Sequence, residues 1–397
     1  MSTERRPRLL LLVQLPPPIH GVAVVNQAII QSELLASRFD IEVLPLAFSA
    51  SLQDLDRPSV RKVGKMIETC ARLAHALVSR RPDAVYFTLS PTGGAFYRDC
   101  ALVAIMKLLG VPRIYHLHGK GIRERIGAPW RRQLYRWVFR DAWVIHLAER
   151  LIADLESLVP RARVLVVPNG IAERSVPDRG DRAGGPRLLY LSNMIESKGP
   201  LVLVEALGLL RARGIEFEAT FAGAEFNDGC LARFRERIRR LGLERQVQYM
   251  GPAYDEAKHR LLDEHDVFVF PTCNDAFPLV VLEAMQAGIP VVTTHEGAIP
   301  EIIEDGETGL LVPRRDPVAL ASCLEALLSD PGMQRRMGAR ARVRHEERYT
   351  LAAFERNLVA ALETCTEAAS AGSRASTRRW GRATSSIASQ KASLHEG

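Results

Sequence analysis

Short apolar runs alternate with longer amphipathic ones through the first half of the chain. Leu9 to Leu15, Ile41 to Leu46, Ala84 to Thr88 and Arg113 to His118 read as strands, with helices at Val22 to Ser37, Val60 to Arg80 and Cys100 to Leu109. That rhythm predicts a parallel, doubly wound sheet. Strand patterns continue at Ala142 to Ile145 and Val164 to Val167, and 171 to 186 is polar, glycine- and proline-rich, and is expected to be a linker. A second series starts with a strand from Leu188, followed by a helix from Leu201 to Arg211, a strand from Phe217 to Phe221, a basic helix from Leu231 to Arg240 and a strand from Val247 to Tyr249. Met333 to Cys365 reads as helix, its last part (about 345 to 365) packing back on the first domain. Thr366 to Gly397, rich in serine, alanine and arginine, is expected to be disordered. The expectation is therefore an α/β chain of two Rossmann-like doubly wound domains facing a cleft, 1 to 170 and 187 to 344.

The stretch from Phe270 to Thr294, FPTCNDAFPLVVLEAMQAGIPVVTT, is the centre of the second series. A strand ends at Phe270, a polar loop passes through Asp275, a helix stops at Gly288 and Pro290, and a β-branched strand resumes at Val291. A loop after a parallel strand, followed by a helix N-terminus, is where an α/β protein holds an anion. Glu283 sits in that helix among apolar neighbours, so it needs hydrogen-bonding partners unless it shares a wet stripe with Gln286.

Composition narrows the class. With 397 residues, 47% apolar and 25% charged, the chain suits two ordinary globular domains. Its six cysteines lack zinc or redox spacing and read as reduced thiols in a cytoplasmic protein. The opening RRPRLLLLVQLPPP imitates a signal peptide but has a glutamine and three prolines and lacks a small-residue cleavage site, so it reads as a buried strand. A formal charge of +7 and a pI near 9.2 point to an anionic partner. Nucleic acid is disfavoured, because zinc-finger, ribonucleoprotein and heptad patterns are absent from the sequence.

Further chemistry clusters at the ends of strands. PPPIHG ends in Gly21 before a helix, where backbone can approach a ligand or simply bend. RIYHLHG puts His116 and His118 on one strand face. After it, Arg123, Arg125, Arg131, Arg132, Arg136 and Arg140 mix with Trp130, Tyr135, Trp137 and Phe139. This segment suits an anionic membrane surface, and equally a helix with aromatics inward and arginines solvated. A nicotinamide oxidoreductase would need G-x-G-x-x-G, and GKGIRE fails at Glu124; VGKM at Val63 lacks the upstream glycine of a P-loop.

Together, PPPIHG with Asn26, HLHG, PNG at Pro168 to Gly170, SKG at Ser197 to Gly199, and DAFPLVVLEAMQAGIPVV followed by GAIPE resemble the retaining glycosyltransferase family 4, of GT-B fold, over Leu9 to about Cys365. The proline-rich opening is similar to the branch that builds bacterial surface polysaccharides. The resemblance implies a UDP- or GDP-sugar donor, no cofactor and no metal, and a glycan or lipid-linked glycan acceptor. It implies catalytic roles for His118, Asp275 and Lys198. Donor contacts are implied at Gly21, Asn193, Lys198, Gly223, Asp275, Phe277, Pro278, Leu279, Val280 and Glu283. Lys198 would face the diphosphate and Glu283 the ribose, and Asp275 stands where the family has glutamate and Asn193 where it has arginine. Arg123, Trp130, Arg131, Arg132 and Trp137 are assigned to the acceptor or to the inner face of the cell membrane. A fold that binds nucleotide sugar without transferring it is the alternative.

Overall fold

The computed structural model describes residues 5–17, 20–46, 60–177, 185–226 and 229–392, with backbone alone for 60–63 and 372–392. Two six-stranded, fully parallel sheets make up its frame. The first contains β1 (Arg8–Val13), β2 (Asp40–Pro45), β3 (Ala84–Phe87), β4 (Arg113–Leu117), β5 (Trp143–His146) and β6 (Val164–Val166), in the order β2-β1-β3-β4-β5-β6. The second contains β7 (Arg187–Leu191), β8 (Glu218–Ala222), β9 (Val247–Tyr249), β10 (Val267–Phe270), β11 (Val291–Thr294) and β12 (Gly309–Val312), in the order β12-β11-β10-β7-β8-β9. β1, β3, β7 and β10 are buried along nearly their whole length, which is why they read as apolar runs.

In each sheet the strand order reverses once, at β1/β3 and at β7/β10. Loops leaving the carboxyl ends of such neighbouring strands diverge to opposite faces and leave a crevice between them. Several candidate residues stand in these loops or in the helices they lead to: Gly21 follows β1, Asn193 and Lys198 follow β7, and Asp275 to Leu279 follow β10, while His118 and Gly223 follow β4 and β8.

Several local expectations differ from the structure. The helix expected over Val22 to Ser37 breaks into Gly21–Gln31 and Glu33–Arg38, because extended Ser32 caps the second piece by accepting from Leu35 N–H at 3.2 Å. The helix expected from Cys100 starts at Gly93. The helix expected from Met333 to Cys365 is interrupted at Tyr349 and Thr350, where Thr350 bridges Ile171 and Leu351 N–H donates to Ile171 O at 2.7 Å. The start of the linker is thus paired with the returning chain; its residues 178–184 lie outside those described, as do Pro18 and Ile19 of PPPIHG.

Beyond that junction the helix Leu351–Ala392 lays Phe354, Leu358, Leu362 and Cys365 against Leu9, Leu11 and Val13 of the first domain, and Arg38 pairs with Glu363. The helix continues past Thr366, where a disordered tail was expected. Thr366 is buried and its hydroxyl donates to Leu362 O at 2.9 Å, and the alanine- and arginine-bearing sequence after it keeps helical backbone to Ala392. Residues 393–397 of the expected tail lie outside those described.

Candidate active site

Between the lobes lies a cleft of about 490 Å³ that brings together His118, Gly21, Asn193, Lys198, Gly223, Asp275, Phe277, Pro278, Leu279, Val280 and Glu283. These positions span 263 residues of sequence, from 21 to 283, and reach the same space only because two crevices face each other.

The C-terminal wall carries the charges. Lys198 ends a tight 3-10 turn, Glu196–Lys198, stopped by Gly199 at φ +83; a Cβ there would fall 2.0 Å from Pro271 O, so the turn requires glycine. This close approach seats the Lys198 loop on the loop after β10. Lys198 Nζ donates to Asp275 Oδ2 at 2.6 Å and to Asn274 O at 3.0 Å. Pro278 is the N-cap of the helix Leu279–Gln286, and no side chain caps that end. The first-turn amides of Leu279 and Val280 line the same cleft as the Lys198 ammonium, and both favour an anion there.

One turn on, Glu283 Oε1 accepts from Lys258 Nζ at 2.6 Å. Its side chain is 15% exposed, and Gln286 is buried and donates to Ala172 O at 2.8 Å, so the two do not form a solvated stripe. Lys258 lies in the helix Asp255–Glu264 and supplies a second cation to a wall whose Asn193 has none. Sequence reasoning passed over that helix, and no spacing signal couples residues 258 and 283.

The N-terminal wall is neutral. β4 carries His116 into the core, where Nδ1 meets Tyr86 Oη at 2.5 Å, and releases His118 beyond the strand end into the cleft. Their rings stand 4.1 Å apart. Only one of the pair expected on this strand therefore reaches the site. Burial, then the neighbouring His146 and His20, push His118 down to about 3; burial pushes His146 to about 3, and His116 also falls well below the usual imidazole range. Leu147 N–H donates to His146 Nδ1 at 2.9 Å, which fixes the proton of that neutral ring on Nε2. Among the described residues, Nε2 of His116, His118 and His146 each lack a partner.

His20 and Asn169 also line this wall, each just before a glycine noted in the sequence but neither singled out there. Gly21 is not demanded by the backbone. A Cβ placed on it would meet Leu279 Cδ1 at 4.0 Å, so it marks where the two lobes approach.

Arg123, Trp130, Arg131, Arg132 and Trp137 do not line the cleft. The helix Pro129–Phe139 buries Tyr135, Val138 and Phe139 and leaves Trp130 and Trp137 58% and 37% exposed. Tyr97 stacks on Trp130, the Arg131 guanidinium lies 5.1 Å from the Trp130 ring centre, and Lys107 stands 5.3 Å from that of Trp137. Tyrosine and phenylalanine turn inward while both tryptophans stay outside, a division the sequence left open.

The arrangement agrees with what the chain is similar to. Residues 35–170 match the glycosyl transferase 4-like domain, and 173–344 match glycosyl transferases group 1. A D-inositol 3-phosphate glycosyltransferase of Paenarthrobacter aurescens is 34% identical over 332 residues, 77% of this chain and 78% of that protein. A putative colanic acid biosynthesis glycosyltransferase, WcaL, of Salmonella typhimurium is 29% identical over 312 residues, 74% of this chain and 73% of that protein. For the D-inositol 3-phosphate glycosyltransferase of Corynebacterium diphtheriae, 32% identical over 174 residues (43% of this chain), the match spans 40% of that protein's length. The Anabaena protein Alr3699/HepE, crystallised with UDP, has the same fold at a TM-score of 0.70 and 18% identity, covering 90% of this chain and all of that one. With two facing parallel sheets, and matches that run through both of them, the chain belongs to the group 1 glycosyl transferases with a family 4-like N-terminal domain, and has the GT-B fold.

Proposed function

We propose that this protein transfers a sugar from a UDP- or GDP-sugar to a glycan or lipid-linked glycan acceptor in building a bacterial surface polysaccharide, with retention at the anomeric carbon. The observation that carries the reading is the meeting in one cleft of Lys198, the uncapped Leu279–Gln286 N-terminus and Glu283 with His118 of the opposite lobe. The diphosphate lies against Lys198 and the Leu279 and Val280 amides, and Glu283 takes the ribose hydroxyls. The sugar then sits between Asp275 and His118.

Departure of the nucleotide builds negative charge on phosphate and positive charge on the sugar ring, and the two walls answer these separately. Lysine and helix amides receive the first. Asp275 and the neutral imidazole of His118, which accepts a hydroxyl hydrogen, attend the second. The acceptor hydroxyl arrives on the leaving-group face and gives its proton to the departing phosphate, which yields retention. With ammonium and amides already at the phosphate, this route uses no metal. The UDP complex of the Anabaena protein supports the donor class and the name of WcaL the acceptor class, while the Paenarthrobacter relative is named for D-inositol 3-phosphate.

We place the protein in the cytoplasm, resting on the inner face of the cell membrane through the arginine and tryptophan helix. No helix among the described residues is long and apolar enough to cross a membrane. Exposed Trp130, Trp137 and Tyr97 amid Arg123, Arg131 and Arg132 suit an anionic interface. Flotation with vesicles containing anionic lipid tests this: binding falls when Trp130 and Trp137 become alanine, and unchanged binding removes the membrane from the account.

The primary test is a thermal-shift screen of nucleoside diphosphates and their sugars. A ligand of the folded state raises Tm, and the best one names the base. Incubation with that radiolabelled donor then separates a transferase from a silent binder, which shows affinity without even slow donor hydrolysis. No shift with any nucleotide sinks the proposal.

A further inference from the structure

Glu296 follows β11, does not line the donor cleft, and is 1% exposed. Three groups converge on its carboxylate. Lys120 Nζ, from the loop after β4, is ion-paired with Oε1, and Arg314 Nη1 donates to Oε2 at 2.7 Å. The backbone N–H of Asp275 also donates to Oε1, at 3.3 Å. Lys120 is two residues beyond His118 on the same loop. A single buried carboxylate therefore ties the loop that presents His118 to the loop that presents Asp275, from opposite lobes.

The C-terminal end of this tie is stiff. Gly297 has φ +54, and a Cβ on it would fall 2.2 Å from Asp275 O; Ala298 N–H donates to Ala276 O at 2.9 Å. The Glu296 and Asp275 loops lie backbone against backbone, so a displacement of one carries the other. A few residues on, Glu301 accepts from the backbone N–H groups of Glu149 and Arg150, at 3.1 and 2.6 Å, and so holds a second segment of the N-terminal lobe. Burying a carboxylate between cations is a poor source of net stability, since desolvation offsets the attraction; its best-attested use is to specify one geometry.

We infer that Glu296 is a positioning residue for sugar transfer: its ion pair with Lys120 and its bond to the Asp275 amide set the distance between His118 and Asp275 across the cleft. The inference rests on the transferase reading above. Among the described residues Glu296 has no hydrogen bond or ion pair to Lys198 or Glu283, so it acts on the chemical step and leaves nucleotide binding to the groups already described.

The test compares Glu296→Gln, Lys120→Met, Lys120→Arg and the Glu296→Gln/Lys120→Met pair with the wild type, using the nucleotide sugar that most raises wild-type Tm. Expected is a kcat lowered about tenfold by Lys120→Met, with Kd for the nucleoside diphosphate within about twofold of wild type. Lys120→Arg restores most of the rate, because the positive charge returns. The double variant is close to the worse single one, since both changes break one bond. Lys120 is 24% exposed, so its variants keep the test alive if Glu296→Gln fails to fold. A Lys120→Met enzyme with wild-type kcat overturns the inference, as does a nucleotide Kd that weakens in step with kcat. A wild type that neither binds nor turns over any nucleotide sugar overturns the transferase reading itself, and this role with it.

Discussion

The two walls of the cleft follow opposite electrostatic plans. On the C-terminal wall every charge has an opposite: Lys198 with Asp275 and Lys258 with Glu283, both at 2.6 Å. On the N-terminal wall His118, backed by His116 and His146, is neutral, and Nε2 of each ring has no partner among the described residues. A wall of paired charges is ready to exchange one anion for another, a carboxylate for a phosphate, without leaving a cation bare in a half-buried place. A wall of neutral imidazoles holds no such counter-ion. It offers single hydrogen bonds of the kind a sugar hydroxyl supplies.

The contrast is most exposed to failure at Lys198. Lys198→Ala removes the ammonium from the cleft and lowers kcat/KM about 100-fold or more. It also abolishes most of the thermal shift produced by the nucleoside diphosphate. If titration calorimetry shows nucleotide binding unchanged in this variant, the phosphate does not lie on this wall.

A smaller effect with two signs sharpens the exchange picture. In Asp275→Asn the ammonium loses its resident counter-ion, so a nucleoside diphosphate binds about tenfold more tightly, as expected when a charged hydrogen bond of about 1.5 kcal/mol no longer has to be broken. Transfer slows at the same time, because the sugar loses its carboxylate. Weaker nucleotide binding by Asp275→Asn would mean that the carboxylate assists the phosphate and does not compete with it.

The last effect concerns stability, and it tests the neutral wall. The folded chain holds His118 and His146 at about 3, below the value of about 6.5 in an unfolded chain. Between those values the unfolded state binds protons that the folded state does not. Stability is therefore fully present above about pH 6.5 and is lost as pH falls towards 3, by up to about 1.4 kcal/mol per pH unit for each ring. His345, held at about 4 by burial far along the chain, adds to the same slope. Urea midpoints at pH 7, 6 and 5 measure it, and His146→Gln reduces it. A midpoint that does not change over this range would mean that the imidazoles take up protons in the fold as readily as in the unfolded chain.

Much of the frame was legible because the signals are local. Apolar runs such as Leu9 to Leu12 mark strands buried on both faces, and glycines at Gly199 and Gly288 mark helix and turn ends, so the βα alternation needs no tertiary information. Phe270 to Thr294 carries loop, helix start and carboxylate in one contiguous stretch. Its neighbours across the sheet were harder to read. Nothing near Lys258 announces Glu283, and the split between buried Tyr135 and exposed Trp137 depends on what the rest of the N-terminal lobe packs against that helix. The break at Tyr349 and Thr350 likewise has its cause 179 residues upstream, at Ile171.

By itself, the sequence determined the two parallel sheets, the positive turn at Lys198 and the helix N-terminus after Pro278, since each arises from residues a few positions apart. Only the tertiary structure decided which charges are paired, which aromatics of the arginine-rich helix stay exposed, and where the C-terminal helix is interrupted. Those outcomes come from contacts between segments tens to hundreds of residues apart, where side-chain type is visible in the chain but its partner is not.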